Sequence, residues 1–348
     1  MKCDNTRLGT TSRGGFWYTD SVKVNPVIFG TSCLGNLYRE IPMETKVAVA
    51  AEWFKAYPHP TIDSAGKYGA GLSLECIGRA LKALGKTGGD IDISVKLGWR
   101  RSRRLAPGEE PTFEPGAWKG LEWDAVQDIS HDGILRCYEE AKSLLGGYKV
   151  GLVSVHDPDE YLASHVSRQQ ALDDIQGAYE ALFGLKTRGE VNAVGIGAKD
   201  WHVIRELWER GIRFDWAMFA CAPTLLVHPP ELLDFVKRLK DSGVTLIDSA
   251  VFNGGFLMGS NMLDYREADP KRDAAAFAFR DRYLALCREH SLDPAAVAVE
   301  YAFRLGFDSV ALNTSKPQRV ADNAAYGTHR SPEAFWSEIG EILSISAT

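Results

Sequence analysis

What most constrains this chain is an alternation repeated along its length. Short runs rich in Val and Ile are each followed by a longer segment with apolar residues at three- and four-residue steps. "NPVIFG" (25–30) precedes "METKVAVAAEWFKAY", and "PTIDSA" (60–65) precedes "LSLECIGRALKALG". "DIDISVKLG" (90–98) reaches its helical partner "HDGILRCYEEAKSLLG" only after an interruption, 99–130. "KVGLVSVH", "VNAVGIG" and "FDWAMFA" lead to "RQQALDDIQGAYEALFGLKTRG", "DWHVIRELWERG" and "PPELLDFVKRLKDSG". "VTLIDSA" (244–250) leads through a glycine-rich loop to "AAFAFRDRYLALCREH" and "PAAVAVEYAFRLG". "DSVALN" (308–313) leads to "KPQRVADNAAYG", and "PEAFWSEIGEILS" closes the chain. Near-continuous hydrophobic strands followed by helices imply a parallel sheet with covered faces. Eight such units predict an α/β fold: a closed eight-stranded parallel β/α (TIM) barrel, one domain over 1–348.

The interruption carries Trp99, Phe113, Trp118 and Trp123, so it is expected to be an ordered flap over a site rather than a structureless loop. Its basic run, Arg100-Arg101-Ser102-Arg103-Arg104, is soon balanced by Glu109 and Glu110 and reads as solvated loop charge. A net charge of −6 argues against nucleic acid as a partner. The six cysteines (3, 33, 76, 137, 221 and 287) stand singly with no CxxC, the pattern of reduced thiols in a cytoplasm. "MKCDNTRLGTTSRGG" lacks the apolar core of a signal peptide, and no stretch approaches the ~18 apolar residues of a membrane span. A cytoplasmic protein is expected, with its oligomeric state open.

In such a barrel the functional face lies at the C-terminal ends of the strands. The second strand ends near Asp63, the third near Lys96 and the fourth at His156, with Tyr68 in the loop just after the second. Each alone is open to a bland explanation, such as a helix cap or a structural histidine. Four on neighbouring strands of one face point to a site. Tyrosine, with a pKa near ~10, exchanges protons poorly at neutral pH, and a neighbouring ammonium is expected to lower that value. Asp63 would hold Lys96 charged, and His156 would donate a hydrogen bond to a carbonyl oxygen set against Tyr68. Such a set suits proton transfer to an oxygen whose carbon gains or loses hydride. The protein supplies no hydride, so a nicotinamide cofactor is expected.

With these residues the chain resembles the aldo-keto reductases along nearly its whole length: Asp63, then Tyr68 five residues on, then strand-end Lys96 and His156. "EPTFEPGAWKGL" in the insert and "GTSCLGNLY" near the start are similar to the bacterial branch of D-threo-aldose (L-fucose) 1-dehydrogenases and pyridoxal 4-dehydrogenases. The resemblance implies an NAD(P)-dependent oxidoreductase acting on a small polyhydroxylated aldehyde, aldose hemiacetal or alcohol, with Tyr68 as general acid/base. It places the pyrophosphate at "VFNGGFLMG", implying Phe252, Asn253, Gly254, Gly255 and Leu257. "NTSKPQRVADN" follows the eighth strand and opens a helix, where Ser315, Lys316 and Arg319 would clamp phosphate and adenosine. By resemblance Arg319 covers the adenine, Asp322 and Asn323 reach its amino group, and Lys316 leans towards NADP, with NAD possible. Trp99, beside the third strand's end, is a candidate wall of the substrate pocket, with packing of the insert as the other reading.

Two departures stand out. The family's Ser-Asn pair at the end of strand five, which grips the nicotinamide carboxamide, is replaced by Gly197 and Ala198, followed by an unexpected cation, Lys199. The tyrosine that stacks on the nicotinamide after strand six gives way to "CAPTLL", with Pro223 about there. These departures keep a second reading open, a nucleotide-sensing or regulatory protein with weak catalysis. A hydrolase or lyase would need paired strand-end carboxylates or a metal, and dispersed histidines without HExxH or GxSxG supply neither. No metal is therefore expected. "GIGAKD" lacks the last glycine of GxGxxG, and "ALGKT" ends a helix without the glycine of a P-loop.

Overall fold

The computed structural model describes residues 22–264 and 266–346. The N-terminal stretch read above, with Cys3, lies outside them. Eight parallel strands close on one another in chain order: β1 (Val27–Gly30), β2 (Thr61–Ala65), β3 (Asp92–Leu97), β4 (Leu152–His156), β5 (Ala193–Ala198), β6 (Trp216–Ala220), β7 (Thr245–Ser249) and β8 (Ser309–Asn313). The fold is the expected α/β barrel. β1 pairs with β8 from Val27↔Val310 to Gly30↔Asn313, which seals the sheet and leaves the barrel no open edge.

Inside, Ile28, Leu152, Ala193, Trp216, Met218 and Ile247 pack as one cluster, with Val22 and Val24 against it. Outward-facing residues such as Val153, Val194, Ala217 and Leu246 join the larger core under the surrounding helices. This arrangement explains the near-continuous apolar strands: both faces are buried, so alternation disappears. With the interior filled, only the strand ends and the loops beyond them are free to form a site.

The insert is ordered, and its ends are not loop. Trp99–Arg104 pairs antiparallel with Trp123–Gln127. The basic run is therefore a strand rather than the expected loop, and its arginines each meet a carboxylate, while Arg103 and Arg104 stay solvated as expected. Arg100 lies 2.6 Å from Asp128, Arg101 3.1 Å from Glu75, Arg103 2.6 Å from Glu109 and Arg104 2.9 Å from Glu122. Between the two strands, the segment around Trp118 is stitched to the loop after β1. Leu37 bridges Trp118, Tyr38 N–H donates to the Ala117 carbonyl (2.6 Å), and Lys119 N–H donates to Asn36 (3.1 Å).

A short helix, α1 (Pro158–Ser164), precedes α2 (Arg168–Thr187) and was not legible as a separate element. Five cysteines of the described residues are free thiols, and burial pushes Cys33 and Cys137 up to about 12. No helix among the described residues is long and apolar enough to cross a membrane.

Candidate active site

Barrel closure brings Asp63, Lys96 and His156 from the strands and Tyr68 from the loop after β2 together around one cavity of about 470 Å3. Asp63 pairs in register with Ser94, whose hydroxyl donates to Asp63 Oδ1 at 3.1 Å. Lys96 Nζ binds Asp63 Oδ2, and both side chains are almost fully buried. The same ammonium sits 4.9 Å from the Tyr68 ring centroid, within hydrogen-bonding reach of its hydroxyl. The Tyr68 and His156 rings meet edge-on, 5.9 Å apart. His156 lines the cavity, while its Nδ1 is buried with no partner among the described residues.

Burial works against the Lys96 charge, but Asp63 and Tyr68 outweigh it and hold the ammonium protonated. His156 is pushed well below its usual value by burial and by Lys96, Lys67 and Lys199, so its ring is neutral near pH 7. Tyr68 corrects the sequence expectation. Burial pushes its phenol up and outweighs the pull of Lys96 in the other direction, with Asp63 adding to the rise. The resting phenol is therefore protonated, a donor beside a neutral imidazole.

From this cavity a groove continues past Phe252 and Asn313 to a chamber lined by Ser315, Lys316, Arg319 and Asn323. Gly254 and Gly255, both left-handed (φ 71 and 88), line the cavity beside Phe252. A Cβ on Gly254 would meet the Asp264 backbone at 2.5 Å, so glycine is required there by the turn itself. Arg39, missed in the sequence, reaches from the loop after β1 to the Ser315 hydroxyl and adds a third cation to that end. A glycine turn mid-groove and three cations at its far end suit the pyrophosphate and phosphate of a nicotinamide dinucleotide, so the residues present fit it.

The chain matches the family model described as "Aldo/keto reductase family" over residues 26–344. The chain belongs to the aldo/keto reductase family. Its relatives include pyridoxal 4-dehydrogenase of Microbacterium luteolum, 26% identical over 326 residues (89% of this chain, 91% of that protein). D-threo-aldose 1-dehydrogenase of a Pseudomonas species is 26% identical over 340 residues (91% and 93%). Among solved structures, a glycerol dehydrogenase from Gluconobacter oxydans superposes with a TM-score of 0.68 at 17% identity, covering 94% of this chain and 96% of that one.

As an aldo/keto reductase, the protein shows where each implied residue stands. Phe252, Gly254, Gly255, Ser315, Lys316, Arg319 and Asn323 line the groove. Asn253 is fully buried beneath it, bracing the turn through Asp264 Oδ1 at 3.1 Å. Leu257 is fully buried in the apolar cluster with Phe279 and Tyr283, and Asp322 is exposed outside the lining. Trp99 lines none of these chambers; its ring lies 4.8 Å from Lys67 Nζ and 5.9 Å from Phe113, the packing alternative.

One of the departures has a structural reason. Lys96 Cδ lies 2.9 Å from where a Gly197 Cβ would be, so glycine makes room for the lysine stem. After β6, Cys221 lines the cavity and Pro223 does not. Lys199 joins a cluster of charges with Glu160, Asp157 and Glu114. That cluster, with Lys67 at its centre, was not legible in the sequence.

Proposed function

We propose that this aldo/keto reductase is an NAD(P)-dependent dehydrogenase or reductase of small polyhydroxylated aldehydes, aldose hemiacetals or the corresponding alcohols, with Tyr68 as general acid/base. The observation that carries the reading is the buried Asp63–Lys96 pair set against Tyr68, beside neutral His156 at the end of a groove suited to a dinucleotide. Relatives named for a sugar-type aldose and for pyridoxal support this substrate range.

A nicotinamide bound in the groove would supply or accept the hydride at the substrate carbon. The rest is work for this chain's residues. His156 donates an N–H to the substrate oxygen and fixes it beside the phenol. In reduction Tyr68 Oη gives its proton to that oxygen; in oxidation it takes the proton of the hydroxyl. Lys96 stabilises the phenolate formed in reduction, and Asp63 keeps Lys96 charged and aimed. Arg39 and Lys316 favour a phosphate at the far end of the groove, and so NADP over NAD.

Quenching of tryptophan fluorescence during titration with NADPH and NADH tests the reading. Saturable binding of at least one, together with steady turnover of an aldose or small aldehyde, is expected. Absence of binding at millimolar concentration would refute it in favour of a barrel turned to another use.

A further inference from the structure

On the insert side, the cavity holding Tyr68 opens into a second chamber of about 680 Å3 with two unlike walls. One is apolar: Leu37, Met262 and Trp118, whose ring centroid is 6.0 Å from that of Tyr68. The other is charged. Lys67, 3% exposed, lies 2.8 Å from Asp157 Oδ2, 2.7 Å from Glu160 Oε2 and 2.8 Å from Glu114 Oε1. An ammonium has three protons, so Lys67 is fully committed. Lys199 Nζ binds Glu160 Oε1 and lies 3.6 Å from Asp157 and 3.9 Å from Glu114.

This wall is assembled from the loop after β2, the insert, the end of β4 with α1, and the end of β5. Lys67 and Asp157 form its buried foundation. Glu114, Glu160 and Lys199 remain open to the chamber, with side chains 32, 34 and 27% exposed. Among the described residues of this wall, three carboxylates against two ammonium groups leave one net negative charge. Asp63 compensates Lys96, and the Tyr68 phenol and His156 ring are neutral, so the tetrad does not cancel it.

Carboxylates accept and ammonium groups donate, and a hydroxyl does both. A carbon chain bearing several hydroxyls can therefore replace the water on this wall while its C–H face lies on Trp118. An alkyl chain would strip that water and return nothing. A phosphate or carboxylate would meet the uncompensated negative charge.

The structure assigns Glu114, Glu160 and Lys199 as specificity-determining residues that read the hydroxyls of a neutral polyhydroxylated substrate and disfavour both alkyl aldehydes and sugar phosphates. The assignment rests on the oxidoreductase reading above and adds the residues that select within it.

Erythrose, butanal and erythrose 4-phosphate share four carbons and an aldehyde, and differ only in hydroxyls and charge. Initial rates of reduction with saturating cofactor are measured for the wild type, Glu114→Gln, Glu160→Gln and Lys199→Met, alongside nucleotide titration and thermal melting. The wild type is expected to favour erythrose over each of the others by roughly tenfold or more in kcat/KM. Each glutamine variant should reduce the erythrose-to-butanal ratio, chiefly through KM, and raise the relative rate with erythrose 4-phosphate. Lys199→Met should lower the erythrose-to-butanal ratio without that gain. If Glu160→Gln does not fold, Glu114→Gln, on the insert, carries the same test. A wild type that prefers butanal or the phosphate, or variants that leave both ratios unchanged, would overturn the assignment while leaving the oxidoreductase reading intact. No nucleotide binding and no turnover of any of the three would overturn that reading, and the assignment with it.

Discussion

Substituting Gly197 by alanine tests whether that position departs from the family for a structural reason. The added Cβ would lie 2.9 Å from Lys96 Cδ. Carbon atoms pack best at roughly 3.5–4.0 Å, so the stem must retreat by roughly 0.6–1 Å. It is not free to do so, because its ammonium is fixed to Asp63 and aimed at Tyr68. Overpacking of this kind costs about 1–3 kcal/mol. Displacing a positioned group by about 1 Å can cost on the order of a hundredfold in rate. Thermal melting should show a lower midpoint in Gly197→Ala, and kcat should fall between roughly tenfold and a hundredfold with nucleotide binding retained. A variant as stable and as active as the wild type would refute the reasoning, and would mean that Gly197 is glycine for another reason.

Tyr68→Phe should keep nucleotide affinity while losing about 10²–10⁴ in turnover, as expected on removing a general acid/base; single-turnover kinetics would show whether the chemical step is the one lost. Because burial holds the Tyr68 phenol protonated, the phenolate that takes the hydroxyl proton in oxidation forms only as pH rises, so the oxidation rate should climb on the alkaline side while reduction does not; a pH–rate profile in both directions checks this. Arg39→Ala and Lys316→Ala should each weaken NADPH binding more than NADH binding, by roughly fivefold or more if each contributes about 1 kcal/mol to a phosphate, as read by fluorescence titration. Asp248, fully buried on β7 with one oxygen unpartnered, is pushed well above the ordinary carboxylate range by burial. Above the unfolded value near ~3.9 the native state holds a proton that the unfolded chain has lost, so this residue makes stability fall as pH rises. Asp248→Asn should therefore be more stable than the wild type at pH ~7, by on the order of 1–3 kcal/mol, with the gain fading towards pH ~4 in denaturant titrations.

The barrel was legible because its signal is local. β/α alternation is written in each stretch of twenty to forty residues, and β2, β3 and β4 announce their active face by ending near Asp63, Lys96 and His156. The hairpin Trp99–Arg104 was hidden because four arginines in six residues mask the period of a strand. Lys67, Glu114 and Glu160 each look like ordinary surface charge in the sequence, yet they meet within 3 Å. Gly197 looked like the loss of a grip on a cofactor, but the structure also shows a stem of Lys96 that needs the space.

The sequence by itself determined the fold class and the four groups gathered at one cavity, since these follow from periodicity, from which residues lie at the strand ends and from the tyrosine in the loop just beyond the second strand. Tertiary structure alone decided how those groups are tuned and what surrounds them. Desolvation and Coulomb interaction depend on burial and distance, neither of which exists in a linear chain. Burial therefore leaves Tyr68 with a raised pKa although Lys96 is beside it, and closure of the barrel gathers residues 67, 114, 157, 160 and 199 into one wall of the chamber beside Tyr68.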